Sequence, residues 1–276
     1  MKIKLFFLAI VMYCVSCNNN SGQYKSPEGY DLTKPEKFAM PIVLDEISGI
    51  TFSKGSNDTI YAEQDEEGKL FHFKLGDKNI SSTKFGKRGD YEDLAISDNT
   101  VIMLRSDGTL FSFPLSETSN KETDSVQEWK GLVPEGEYEG LYADDSSNIY
   151  VLCKNCGKQT NVYVLKLTAG TITAAGNFTI DVKPIEELTG DKKIKFHPSA
   201  LTKNPLTHEW YILSSVNKLL VTADNNWNIK NVYPLDGLLF DQPEGIAFDK
   251  QGNLYISNEK GETIEGTILK FNYNKK

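Results

Sequence analysis

The sequence predicts an all-β protein, a β-propeller of about five blades of about 45 residues each around a central channel. Three observations predict it. A short phrase recurs five times, a second phrase follows each copy in the same order, and no segment beyond the first seventeen residues carries a sustained 3.6-residue apolar stripe.

The first phrase reads Ser48-Gly49-Ile50, Glu92-Asp93-Leu94, Glu139-Gly140-Leu141, Ser199-Ala200-Leu201 and Glu244-Gly245-Ile246. Its copies are 44, 47, 60 and 45 residues apart, the spacing of a propeller blade. The second phrase opens an aliphatic-aromatic strand: Ile60-Tyr61-Ala62, Val101-Ile102-Met103-Leu104, Ile149-Tyr150-Val151-Leu152, Trp210-Tyr211-Ile212-Leu213 and Leu254-Tyr255-Ile256-Ser257. Turn residues such as Glu67-Gly68 and Asp107-Gly108 follow. Paired strands such as Leu70-Phe71-His72-Phe73 and Leu110-Phe111-Ser112-Phe113 come next. Alternating apolar residues broken by an acidic residue and glycine are hairpin signals. The longer third step leaves room for an insertion around Asp181–Lys195, a loop or a helical turn.

The first residues read as an address. Lys2 and Lys4 precede an eleven-residue uncharged run, Leu5 to Val15, too short for a spanning helix of about 20 residues. The run ends in Cys14-Val15-Ser16-Cys17, which resembles a bacterial lipoprotein cleavage site. That resemblance implies a signal peptide over 1–16, acylation of Cys17 and membrane attachment through the lipid. Residues 17–37 are expected to be a flexible tether, and 38–276 a single propeller domain. The expected address is the bacterial cell envelope, as a lipoprotein exposed to periplasm or cell surface.

Charge narrows the function classes. The chain carries 30 Lys+Arg against 38 Asp+Glu, a net charge of −8. Loss of Lys2 and Lys4 leaves 28 against 38, or −10. An anionic body argues against nucleic acid as a partner. A monomer is expected, bound to the membrane through Cys17 and to an unidentified small-molecule or protein ligand. Cys153 and Cys156 remain after Cys14 and Cys17 are assigned. In an exported protein they read as a local disulfide, as free thiols or as a redox pair. The strand-like flanks argue against the redox site, which wants a helix N-terminus.

Taken with Glu46-Ile47, Gly89-Asp90-Tyr91, Tyr138, Pro198, Gln242-Pro243 and Asn253-Leu254-Tyr255-Ile256-Ser257-Asn258-Glu259, the repeated phrases resemble the SdiA-regulated family over roughly residues 40 to 273. The resemblance implies a five-bladed propeller distantly related to NHL-repeat propellers, a bound calcium ion and a cell-envelope location. No enzymatic activity comes with it. The lipoprotein-type signal and the Cys153/Cys156 pair depart from the pattern.

A propeller brings equivalent positions around one axis, so the first phrase predicts a ring of Ser48, Glu92, Glu139, Ser199 and Glu244. Three carboxylates repel unless a proton or cation neutralises them. Oxygen ligands in a roomy ring suit Ca2+, with Glu92, Glu139 and Glu244 as metal ligands and Ser48 and Ser199 as weaker ones. The alternative is that these glutamates cap backbone amides and point off the axis. A second column, Asp65, Arg105, Lys154, Ser214 and Glu259, is expected to line one channel mouth as a mixed-charge rim. No catalytic residue is assigned. A Ca2+-dependent hydrolase of the lactonase, esterase or glycosidase kind is the alternative function, resting on paired carboxylates. No Gly-x-Ser-x-Gly or His-Glu-x-x-His run supports it. Of the scattered His72, His197 and His208, only His197 abuts a repeat phrase.

Overall fold

The computed structural model describes residues 24–53, 58–77, 79–156 and 159–275. The signal, Cys17 and the start of the expected tether lie outside them.

Five antiparallel four-stranded sheets form the five blades of a β-propeller. Blades one to four run outward from the axis in chain order. Blade one is β2 (Ile47–Phe52), β3 (Ile60–Gln64), β4 (Lys69–Phe73) and β5 (Ser81–Lys84), after β1 (Glu36–Ala39). Blade two is β6 (Tyr91–Ser97), β7 (Thr100–Arg105), β8 (Leu110–Pro114) and β9 (Gln127–Trp129). Blade three is β10 (Glu137–Ala143), β11 (Asn148–Asn155), β12 (Thr160–Thr168) and β13 (Thr171–Ile180). Blade four is β14 (Ala200–Lys203), β15 (Trp210–Ser214), β16 (Leu219–Ala223) and β17 (Ile229–Pro234). Blade five is β18 (Pro243–Phe248), β19 (Leu254–Asn258) and β20 (Thr267–Phe271), completed by β1.

Strand chemistry follows distance from the axis. The second strands are flanked on both faces by neighbouring blades, so β3, β15 and β19 are buried throughout. The outer strand β13 exposes most of its residues. Each core cluster is shared by adjacent blades. Leu104 and Ala95 of blade two pack with Tyr138, Leu141 and Val151 of blade three. Leu152 and Val162 of blade three pack with Trp210, Ile212 and Val221 of blade four. The insertion after blade three holds the one-turn-plus helix α1 (Lys183–Thr189), with Pro184 in its first turn and a left-handed Gly190 ending it.

Closure is by strand exchange. β1 pairs antiparallel with β20 from Glu36↔Lys270 to Ala39↔Thr267, so the N-terminal strand becomes the outer strand of the last blade. This corrects the expected tether boundary at residue 37. Tyr30 and Leu32 are already buried in the blade four–five core. Tyr30 donates its hydroxyl proton to the Gly252 carbonyl at 2.6 Å and accepts from Asn204 Nδ2 at 3.1 Å. Two apolar side chains in a polar stretch were anchors of the chain on the body.

Cys153 and Cys156 form a disulfide that braces the end of β11.

Candidate functional site

The inner strands β2, β6, β10, β14 and β18 touch one another around the axis. Their first residues gather at one channel mouth. Four of them carry an extra residue there; in β2 the register passes from Ile47↔Gln64 to Ile50↔Ala62, so Ser48 and Gly49 stand opposite Glu63 alone. In β6 the register passes from Tyr91↔Arg105 to Asp93↔Leu104, leaving Glu92 unpaired. In β10 it passes from Tyr138↔Cys153 to Gly140↔Leu152, leaving Glu139. In β18 it passes from Pro243↔Asn258 to Gly245↔Ser257, leaving Glu244. Each of the three glutamates therefore sits on a β-bulge, which re-aims the side chain of the extra residue.

The bulges bring the carboxylates within electrostatic reach of one another. Burial, then the charges of Glu139 and Asp90, push Glu92 up to about 9. Burial raises Glu139 to about 7 against the opposing pull of Lys154. Burial likewise raises Glu244, while Ser215 and Lys154 work the other way. From the second column, burial and then Glu244, Asp65 and Glu46 push Glu259 up to about 8. Asp65 rises to about 6 by burial and the charges of Glu46, Glu66 and Asp90. Burial is the largest cause for all five, and neighbouring carboxylates add to it for Glu92, Glu139, Glu259 and Asp65.

Lys154 of β11 places an ammonium in this recess. It donates to Glu139 Oε1, and Glu137 Oε1 lies 3.6 Å away. Burial pulls its pKa down, but Glu139, Glu137 and Glu244 more than offset that, so it stays above the ordinary lysine value. Gln242 Nε2 donates to Glu259 Oε2 at 3.1 Å.

Four expected site residues make bonds elsewhere, although the Ser199 hydroxyl also bonds Glu244. The Ser48 hydroxyl donates to the Glu92 carbonyl of blade two at 2.9 Å, and Ser199 to the Pro243 carbonyl of blade five at 3.1 Å. Both hydroxyls latch neighbouring blades together. Arg105 makes a two-pronged pair with Asp107, at 3.1 and 2.7 Å, and its guanidinium carbon lies 5.4 Å from the centre of the Phe111 ring. Its charge is spent inside its own hairpin. Ser214 is buried and donates to the His197 carbonyl at 2.6 Å. With Arg105 paired locally, acidic groups predominate at the mouth, and Lys154 sits among them.

Two buried carboxyls were missed by the sequence reading. Asp93 accepts from the Leu94 amide at 2.8 Å and from the Leu141 amide of blade three at 2.6 Å. Glu63 accepts from the Gly49 amide at 2.7 Å, and its Oε2 has no hydrogen-bond partner. Burial holds both far above the usual carboxylate range. The sequence carried a signal for each. Asp93 fills a repeat position held by Gly49, Gly140, Ala200 and Gly245, and Glu63 one held by Leu104, Leu152, Leu213 and Ser257.

The SdiA-regulated family matches residues 26–261, most of the chain. This chain belongs to the SdiA-regulated family. No curated protein sequence matches it. Among solved structures, glutaminyl cyclase from Myxococcus xanthus is similar in fold at 13% identity and a TM-score of 0.57, over 87% of this chain and 96% of that one. A luciferin-regenerating enzyme is similar at 8% identity and a TM-score of 0.54, over 87% and 95%. At such identities the likeness is one of fold. Within this SdiA-regulated propeller, the calcium implied by the family resemblance meets a specific geometry. Oxygen donors are present, yet among the described residues no three His, Cys, Asp or Glu side chains lie close enough to hold one metal ion. With Lys154 seated on Glu139, the side chains as arranged do not fit a calcium shell.

Proposed function

We propose that this SdiA-regulated propeller is a non-catalytic binding protein of the cell envelope, whose recessed acidic mouth takes a cationic ligand of the ammonium or guanidinium type. One observation carries the reading. Bulges deliver Glu92, Glu139 and Glu244 to the mouth, Glu259 and Asp65 join them, and these carboxyls outnumber the two lysines that act on them, Lys154 and Lys218. Such a recess lowers its energy when a positive charge enters and protons leave. Lys154 supports the ligand class, because its amine already rests on Glu139.

Calcium is the second reading, favoured by the oxygen-only donors and the family resemblance. It requires Lys154 to leave Glu139 and the carboxylates to draw together. Hydrolysis is less well supported. Glu92 has the raised pKa of a general acid, but the matching base, Glu139, is engaged by Lys154. Attachment through Cys17 rests on the sequence of the signal alone.

Calorimetric titration of the full chain with spermidine, and separately with calcium chloride, tests the proposal. Saturable spermidine binding that weakens at least tenfold in a Glu92→Gln/Glu139→Gln/Glu244→Gln variant is expected. Saturable calcium binding without spermidine binding would transfer the site to calcium. Binding of neither would sink the reading.

A further inference from the structure

Large aliphatic side chains stand in solvent on the loops that feed the acidic mouth. Leu238 is 96% exposed, Ile264 90% and Ile42 86%, with Val216 also exposed. Single exposed aliphatics are ordinary. These four lie on loops that are joined in series. Lys218 bonds to the Asp241 carbonyl, the Glu262 amide donates to Asp241 Oδ2 at 3.0 Å, and the Lys260 amide donates to the Asp45 carbonyl at 2.7 Å. The arc so formed follows blades four, five and one. Each of its three largest tips is chained to a mouth carboxylate: Leu238 precedes Glu244, Ile264 follows Glu259, and Ile42 precedes Glu46. The carboxylates are recessed while the aliphatic tips protrude. Beside Glu259, the buried Asn258 keeps its Oδ1 without a hydrogen-bond partner, an acceptor suited to an N–H donor.

The apolar arc flanks the charged recess on one side, where contacts that exclude water would strengthen a charged anchor seated in it. The charge of the recess selects the anchor. We infer that the mouth face docks a protein partner that inserts one arginine or lysine side chain into the acidic recess, with flanking apolar residues against Leu238, Ile264 and Ile42. This rests on the cation-binding reading above and adds the partner to it. A bilayer is a poorer match, since anionic headgroups would face the carboxylates.

The test uses three probes on the full chain. They are N-acetylarginine amide, an end-capped heptapeptide with one arginine centred among leucines and valines, and neutral phosphatidylcholine vesicles. The heptapeptide is expected to bind at least tenfold more tightly than the amide. A Leu238→Ser/Ile264→Ser variant, altered only at exposed tips, is expected to lose that advantage while keeping its affinity for the amide. Equal affinity of peptide and amide, or undiminished peptide binding by the variant, would overturn the docking surface and leave the cation site standing. Failure of both arginine probes would overturn the cation site with it. Vesicle binding abolished by the variant would make the rim a membrane face and overturn the protein partner.

Discussion

Lys154 donates its ammonium to Glu139 across the β10–β11 pair, within a recess that also holds Glu92, Glu244 and Glu259. Carboxyls outnumber the lysines Lys154 and Lys218 that act on them, and burial makes these carboxyls hard to ionise. The first consequence concerns Lys154 itself. Lys154→Met frees Glu139 and raises its pKa above about 7. Spermidine is expected to bind several-fold more tightly, because the internal competitor is gone. Stability at pH 8 should fall by about 1–3 kcal/mol, the usual range for a buried polar group left without its partner. Titration calorimetry and urea melts check the two effects.

Stability should fall as pH rises. Glu92, Glu259, Glu139 and Asp65 have folded values of about 9, 8, 7 and 6, all above the ordinary carboxylate range near 4. The folded state therefore holds protons that the unfolded state has released. This contribution to stability is full below the unfolded values and is lost as pH passes through the folded ones. Thermal melts between pH 5 and pH 9 should show a falling midpoint, and a saturating cation should flatten the fall.

Asp93 joins blades two and three through the Leu141 amide at 2.6 Å. Asp93→Leu leaves two buried amides without an acceptor, a cost of about 3 kcal/mol or more. The same carboxyl occupies the space over Gly49, where an added Cβ would lie 2.3 Å from Asp93 Oδ1. Gly49→Ala is therefore expected to destabilise by about 1–3 kcal/mol through overpacking. Chemical denaturation of both variants measures these costs.

Tyr30 fastens the N-terminal segment over the last two blades. Tyr30→Phe removes its hydrogen bonds to Gly252 and Asn204 and should cost about 1 kcal/mol. Tyr30→Ala also empties an aromatic site in the core and should cost about 3–5 kcal/mol. Hydrogen exchange at β20 amides should rise in both variants, more so in the second.

The blades were legible because every one repeats the same two phrases. Inner and second strands can be told apart by their starting residues. The glutamate column was legible for the same reason, as equivalent positions meet at the axis. Direction was less so. A serine in that column can reach a neighbouring carbonyl, and Ser48 and Ser199 do. Arg105 lies two residues from an aspartate, and the local pair claims its charge before the mouth can. Asp93 and Glu63 were readable as polar residues in columns of glycine, alanine and leucine. The strand pattern around them concealed that difference. Closure by β1 was invisible in the repeat count, because the closing strand lies outside the repeated phrases.

Proton release on cation binding tests the central claim most directly. Spermidine is added to the weakly buffered full chain at pH 7.5, and liberated protons are followed by a pH indicator. The acidic recess predicts saturable release of about one proton or more per chain, since Glu92 and Glu259 hold theirs at that pH. The Glu92→Gln/Glu139→Gln/Glu244→Gln variant should release far less. Saturable binding without proton release, or release undiminished in the variant, would contradict the assignment of this mouth as the cation site.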